Sequence, residues 1–344
     1  MRTGLWIPIV LGGVTILSYA GPLLNPEAFK FAIAILLMYP LMLVFNSFLF
    51  FLLVIRGRYL KALLPFLLIL LGWPIHSKLI PFSASSVAPS TEDIKLVSFN
   101  ANYGFSLGAQ NEDAQKLPHL LKEWKHPDIL CLQEHTADVH KWVESNFNFS
   151  TRVKKYEYRT VIYSRFPIVD QGALLFGNLE NSCVWADFKL ADGKVIRVYN
   201  IHLQSNRVTD QSKRLFEEGL EFSQSKLGEL LEIVKNYRLA SAKRVNQVKE
   251  LLEHIKLSPY PVIIAGDLND VPISYVYRKL SIGRKDSFLE RGAGLGTTYA
   301  GPIPLLRIDL VMADPSFRVL SHEVLKGDFS DHYPLVVGIR TRNK

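Results

Sequence analysis

The chain has 344 residues with a formal net charge of +8, and it is 48% hydrophobic yet 21% charged. Residues 1–92 hold six Lys/Arg against two Asp/Glu and the remainder holds 34 against 30, so each part contributes +4. A nucleic-acid footprint needs basic residues clustered on one surface, and no such cluster is present in the sequence. Two cysteines exclude a disulfide framework; Cys131 and Cys183 each lie in a strand-like apolar run and are read as small core residues.

The first 82 residues read as a membrane region. Residues 3–26 carry no charge until Glu27, residues 31–55 are uncharged and strongly apolar, and residues 62–77 are uncharged before Lys78. A spanning helix needs about 20 apolar residues, so three spans are expected, at about 5–21, 31–55 and 62–80, the third with Lys78 snorkelling. A cleaved signal peptide ending near Ser18-Tyr19-Ala20 is the competing reading of the first segment. Arg56, Arg58 and Lys61 cluster between the second and third segments, whereas the first loop has only Glu27 and Lys30. The positive-inside rule puts the basic loop in the cytoplasm. Three spans then place the rest outside it, in a multi-pass protein of the cell (inner) membrane; a re-entrant third segment would reverse this. Residues 83–93 are a short polar linker.

From residue 94 onward, apolar runs of four to eight residues alternate with turns and helical stretches, the pattern of a mixed α/β domain over 94–344. Residues 95–102 form a strand ending at Asn100 and Asn102. Residues 117–124 read as a short amphipathic helix. Strands over 128–135, 160–168, 195–203 and 261–270 follow; the first of these ends near Glu134, the third at His202 and the last at Asp267 and Asn269. A sixth strand over 306–312 carries Asp309, and Ser330-Asp331-His332 precedes the last, around Leu335–Ile339. Strand after strand delivers a polar residue at its end, which looks like one rim. Glu134, Asp267, Asp309 and Asp331 are hard oxygen ligands suited to Mg²⁺ or Mn²⁺. His202 and His332 add donors for an anionic substrate. Carboxylates, amides and imidazoles around a divalent ion suit phosphoester hydrolysis.

The ordered set Ser98-Phe99-Asn100, Gln133-Glu134, Ser164-Arg165-Phe166-Pro167, His202-Leu203, Gly266-Asp267-Leu268-Asn269, Arg307-Ile308-Asp309 and Ser330-Asp331-His332 resembles the endonuclease/exonuclease/phosphatase superfamily. The resemblance implies a four-layer sandwich of two packed mixed β-sheets flanked by helices, with the site at one end. It implies Glu134, Asn100 and Asp331 as metal ligands. It implies Asp267 and Asn269 at the attacking water, His202 on the phosphate or leaving oxygen, and His332 on the developing charge, its ring oriented by Asp309. Arg165 is read as a structural corner. Asn102 and His202 depart from the abasic-endonuclease pattern and favour the nuclease-I, sphingomyelinase and phosphatase side.

Residues 206–258 form a long, charged, mostly helical insertion whose stripe Leu227, Leu230, Leu231 and Val234 is expected to pack on the domain, a lid or membrane-apposed helix being the alternative. The glycine-rich loop 292–302 lacks a Walker pattern. The expected function is a membrane-anchored, Mg²⁺-dependent phosphoester hydrolase acting on lipid or polyprenyl head groups at the bilayer. A surface nuclease is the alternative and a non-catalytic scaffold the third reading. The partners are a phosphoester substrate and the bilayer; nucleic acid is not favoured, and no obligate protein partner is inferred.

Overall fold

The computed structural model describes the chain apart from residues 1–5, 82–86, 88–92, 103–125, 154–158, 178–179, 207–223, 302, 304, 328–329 and 343–344. The expected helix over 117–124 and most of the linker lie outside the described residues.

The apolar N-terminal segments form helices α1 (Trp6–Ser18), α2 (Ala32–Ile55), α3 (Tyr59–Leu71) and the single turn α4 (Trp73–His76). At 1.5 Å per residue, α2 is about 36 Å long and crosses a hydrocarbon core, whereas α1 and α3 reach only about 20 Å. Of the three expected spans, the described residues therefore supply one helix of crossing length. The third segment breaks at Gly72, one residue before the turn that contains Pro74, which cannot donate to a continuing helix. The first ends at Ser18, ahead of a 3₁₀ turn at Gly21–Leu23.

The remaining elements are β1 (Ile94–Asn100), β2 (Ile129–Gln133), α5 (Ala137–Asn146), β3 (Thr151–Val153), β4 (Val161–Ser164), β5 (Ile168–Leu175), β6 (Ser182–Lys189) and β7 (Val195–His202). There follow α6 (Gln224–Lys256), β8 (Val262–Asp267), α7 (Tyr275–Ser281), β9 (Lys285–Asp286), α8 (Ser287–Arg291), β10 (Asp309–Ala313), β11 (Phe317–Val324) and β12 (Leu335–Thr341). They build two six-stranded sheets, ordered β11-β12-β1-β2-β4-β3 and β5-β6-β7-β8-β10-β9. In each sheet the central pair, β1/β2 and β7/β8, is parallel and the other pairings are antiparallel.

Alternation along the strands builds the core between the sheets. Leu96 of β1, Ile129 and Cys131 of β2, Val198 of β7, Ile263 and Ala265 of β8, and Val311 of β10 all face it. The other parity faces the helices: Val97, Phe99 and Leu132 pack beneath α5 with Val139 and Val143. On the second sheet, Tyr199, Ile264 and Met312 pack beneath α6 with Val245, Val248, Leu251 and Ile255. Both cysteines are buried and free.

The apolar helices sit directly on this sandwich. Ile33, Leu36 and Tyr39 of α2 pack with Ile273, Val271 and Tyr237. Arg307 Nη2 donates to the Lys78 carbonyl at 3.0 Å while its Nη1 is 2.8 Å from Asp286 Oδ2. Arg307 is thus bound to Asp286, and Asp309 is left for the site. The stripe on α6 departs from expectation. The C-terminal half of α6 packs, but Leu227, Leu230 and Leu231 are 55%, 52% and 62% exposed. A helix of 33 residues outruns the sheet it covers, so its first turns have no sheet beneath them.

Candidate active site

The parity that fills the core also aims the polar strand ends. Position 100 continues 96 and 98 of β1, 202 continues 196 and 198 of β7, 267 continues 263 and 265 of β8, and 309 precedes 311 of β10, so Asn100, His202, Asp267 and Asp309 cap the core at one end. β8 and β10 pair with Asp309 opposite Asp267, and β7 and β8 pair with His202 beside Asp267. Glu134 has the wrong parity for the interior. It follows β2 with φ 50, and this left-handed residue ends the strand and turns the chain at the rim.

Asn100 lies at the centre. Its Nδ2 donates to Asp267 Oδ2 at 3.1 Å and to Glu134 Oε1 at 3.3 Å. Asp267 Oδ1 accepts the Asn269 amide at 2.7 Å, and Asn269, itself at φ 54, ties its own side chain to the Leu203 carbonyl at 2.9 Å. His332 Nδ1 lies 2.9 Å from Asp309 Oδ2. Its Nε2 is 3.8 Å from Asp267 Oδ2. His202 Nδ1 is fixed by the Glu180 carbonyl at 2.8 Å, leaving Nε2 3.5 Å from Glu134 Oε1 and 3.8 Å from Asp267 Oδ2. Distances of 3.8 Å exceed a hydrogen bond, so the two imidazoles flank Asp267 without bonding to it. Asp331 lines the cavity wall, its carboxylate accepting Ser330 Oγ at 3.3 Å. Ser330 Oγ also donates to the Asn100 carbonyl at 2.9 Å, tying the strand-end loop to β1. The cavity has a volume of about 420 Å³.

Charge follows from burial. Asp267 is pushed above the usual carboxylate range, first by burial and then by the Asp309 charge beside it. Glu134 is raised mainly by burial. For His332 burial works the other way, but Asp309 and then Asp267 outweigh it and lift the imidazole to about 10. At neutral pH His332 is a buried cation.

The donors fit a hard divalent cation. The carboxylates of Glu134 and Asp267 meet at Asn100, and the buried His202 Nε2 makes no hydrogen bond. Asp267, Asp309 and His332 also bring one ligand atom each within 4.8 Å of one another.

Sequence reasoning passed over the layer beneath. Gln133 Nε2 donates to Asn200 Oδ1 at 2.6 Å, and Asn200 Nδ2 donates to the Leu132 and Val161 carbonyls at 2.8 Å. This stitches one sheet to the other directly under the acids. Both residues stand at core parity in apolar strands, a polar interruption that signals a cross-sheet bond. Tyr299 was passed over too; its ring meets the His332 ring edge-on at 5.3 Å.

Residues 97–332 match the family model described as Endonuclease/Exonuclease/phosphatase family, and residues 2–79 match a model described as a domain of unknown function. No curated protein sequence matches. Among solved structures, the humanized D. rerio TDP2 carrying 14 mutations is 18% identical at a TM-score of 0.53, covering 73% of this chain and 100% of that one. The mannosyl-6-phosphatase Bt3783 of Bacteroides thetaiotaomicron VPI-5482 is 17% identical at 0.52, covering 72% and 99%. The human Nocturnin catalytic domain with bound sulfate is 18% identical at 0.50, covering 74% and 97%. At these identities the likeness is one of fold. With its two-sheet sandwich and a family match over residues 97–332, the chain belongs to the endonuclease/exonuclease/phosphatase family.

Proposed function

We propose that the chain is a membrane-anchored, divalent-metal-dependent phosphoester hydrolase working outside the cytoplasm on substrates at the bilayer surface. The observation that carries the chemistry is the buried Asp267, bridged through Asn100 to Glu134 on one side and flanked by the Asp309-held imidazolium of His332 on the other.

Glu134 and Asn100, with Asp331 at the cavity wall, would hold Mg²⁺ or Mn²⁺, which when bound polarises a phosphoryl oxygen. Asp267 takes the proton of the attacking water, its raised carboxyl making it a better base than an exposed aspartate. The Asn269 amide holds Asp267 Oδ1 and leaves Oδ2 turned toward the two imidazoles. As the water oxygen bonds to phosphorus and the leaving P–O bond breaks, charge on the phosphoryl oxygens meets the His332 cation. His202, its Nδ1 held by the Glu180 carbonyl, turns Nε2 toward the phosphate or the departing oxygen.

Anchoring is supported by α2. Leu41, Val44, Phe48, Phe51 and Ile55 leave its outer face apolar and exposed, a stripe that water disfavours and lipid accepts. Packing of α2 against the sandwich argues for a retained element over a cleaved signal. Its N-terminal end meets the sandwich, Arg56, Arg58 and Lys61 follow its C-terminal end, and residues 59–78 lead back to the sandwich, where the Lys78 carbonyl accepts from Arg307; with that return, the positive-inside rule favours a catalytic unit opposite the cytoplasm.

The test uses the full chain in detergent micelles, assayed with Mg²⁺ and with EDTA on bis-p-nitrophenyl phosphate, sphingomyelin, a polyprenyl pyrophosphate and plasmid DNA. EDTA-sensitive release from the chromogenic diester and a lipid substrate is expected. Plasmid degradation without lipid turnover moves the assignment to a nuclease; release from none of them refutes the hydrolase reading.

A further inference from the structure

A second cavity, about 510 Å³ in volume, lies between α2 and the sandwich. Leu36, Leu37 and Pro40 of α2 form one wall, Ile233, Val234 and Tyr237 of α6 the other. It is continuous with the catalytic cavity: Asn206, Asn269, Ile303, Leu306 and Ile308 line both. The two differ in character. The catalytic cavity is ringed by acids, amides and imidazoles, the trough mostly by apolar side chains, with Asn206, Asn269, Asp270 and Arg307 among its lining. The exposed Leu227, Leu230 and Leu231 of α6 precede Val234 by one to two turns.

The trough is held open by a buried polar anchor. Arg244, with no solvent exposure, donates Nε to Asp270 Oδ2 at 3.0 Å and Nη1 to Asn206 Oδ1 at 2.8 Å. Tyr237 OH donates to Asp270 Oδ1 at 2.6 Å. These bonds fix α6 to the loop after β8, and so set the distance from trough wall to Asn269. Leu305 lines the trough at φ 65 and is 63% exposed, a left-handed conformation that an L-leucine adopts only at a cost, with its apolar side chain at the rim.

We propose that this trough takes the hydrocarbon chain of a lipid phosphoester from the outer leaflet and so sets its phosphoryl group at Asp267 and His332. The inference rests on the hydrolase reading and names its substrate class. A chain lying between α2 and α6 reaches the acids past Asn206 and Asn269 without leaving apolar surroundings until its head group. A nucleic-acid strand has no use for such a wall.

The test places the full chain in phosphatidylcholine nanodiscs and compares kcat/KM for butyl and decyl p-nitrophenyl phosphate diesters, which share a leaving group. Each methylene withdrawn from water is worth about fourfold, so a preference of at least about tenfold for decyl is expected. Val234→Glu should bring that ratio close to one. Leu305→Asp, at an exposed position where aspartate tolerates the backbone, should do the same should Val234→Glu fail to fold. Partition of decyl diester into the bilayer is common to all variants, and the ratio cancels any general loss of rate. A ratio that stays the same in both variants overturns the trough while leaving the hydrolase reading intact. Should no diester be turned over, the hydrolase reading falls and a second readout judges the trough. Decyl phosphate with a terminal diazirine should cross-link to Leu36–Pro40 and Leu305–Ile308 in the wild type and not in Val234→Glu. Label confined to the outer face of α2 overturns the trough, and trough label with no decyl preference in a working enzyme makes it a lipid-anchoring groove instead of a substrate site.

Discussion

Replacing Asp309 by asparagine keeps the size of the side chain and removes the charge that holds His332 cationic. Burial alone depresses an imidazole, and Asp309 is the largest influence opposing it, ahead of Asp267. With the carboxylate present the ring titrates at about 10 and is protonated throughout the neutral range. Without it, burial draws the pKa down toward or below the ordinary value of about 6.5. At pH 8 the cation fraction then falls to a tenth or less. The amide also presents a donor or an acceptor to Nδ1 without a net charge, so ring orientation weakens. Together these predict a loss of about 10²–10³ in turnover at pH 8, roughly 3–4 kcal/mol of transition-state stabilisation. The loss should shrink toward pH 6, where the imidazole regains its proton. His332→Ala should lose about 10²–10⁴, and the double variant should be no worse than His332→Ala, because both residues act through one imidazolium. The assay is bis-p-nitrophenyl phosphate hydrolysis from pH 6 to 9, with circular dichroism to show that each variant folds. A variant-to-wild-type ratio independent of pH, or additive losses, would refute the reasoning.

Glu134→Gln removes the half-buried member of three carboxylates held near one another; we expect the melting temperature in EDTA to rise by about 2–4 °C while the Mg²⁺-induced shift disappears, measured by thermal scanning in detergent. Gly266→Ala should prevent folding or cost about 3 kcal/mol or more, since an added Cβ would lie 2.0 Å from the Ile201 carbonyl oxygen at φ +131; a variant with normal melting would show that β7 and β8 are not so close. His322, pushed down to about 4 chiefly by burial, with Arg307 adding to it against Asp286, makes stability acid-sensitive. The unfolded chain takes up this proton below about pH 6.5 and the folded chain not until about 4, so stability falls across that window by up to about 3 kcal/mol. In His322→Gln the decline in melting temperature between pH 6.5 and 4 should be visibly smaller; an unchanged decline would assign the acid sensitivity elsewhere.

The strands that carry the rim and their polar ends were legible in the chain because an apolar run that closes on a polar residue is a local pattern, whereas β3, β5, β6, β9 and β11 and the order of the sheets were not. Asn100, His202, Asp267, Asp309 and His332 could be named from that pattern. Three things were not local. The length of α3 depends on where its helix stops, and hydropathy continues past Gly72 although the helix does not, so a count of uncharged residues gave one span too many at each flank of α2. The stripe on α6 has the same spacing whether it meets a sheet or overhangs one; only the register of a 33-residue helix on a shorter sheet decides which. Neither the partner of Arg307 nor the Gln133–Asn200 bond across the sheets can be read from neighbours in sequence: the first depends on β9 lying beside β10, the second on the stacking of two sheets. The chain by itself determined which polar side chains stand at the strand ends, because their types and strand positions are local properties. Tertiary packing alone decided that an apolar trough opens beside them, because its walls come from α2, α6 and the loops after β8 and before β10, segments that meet only when the sandwich rests on its helices.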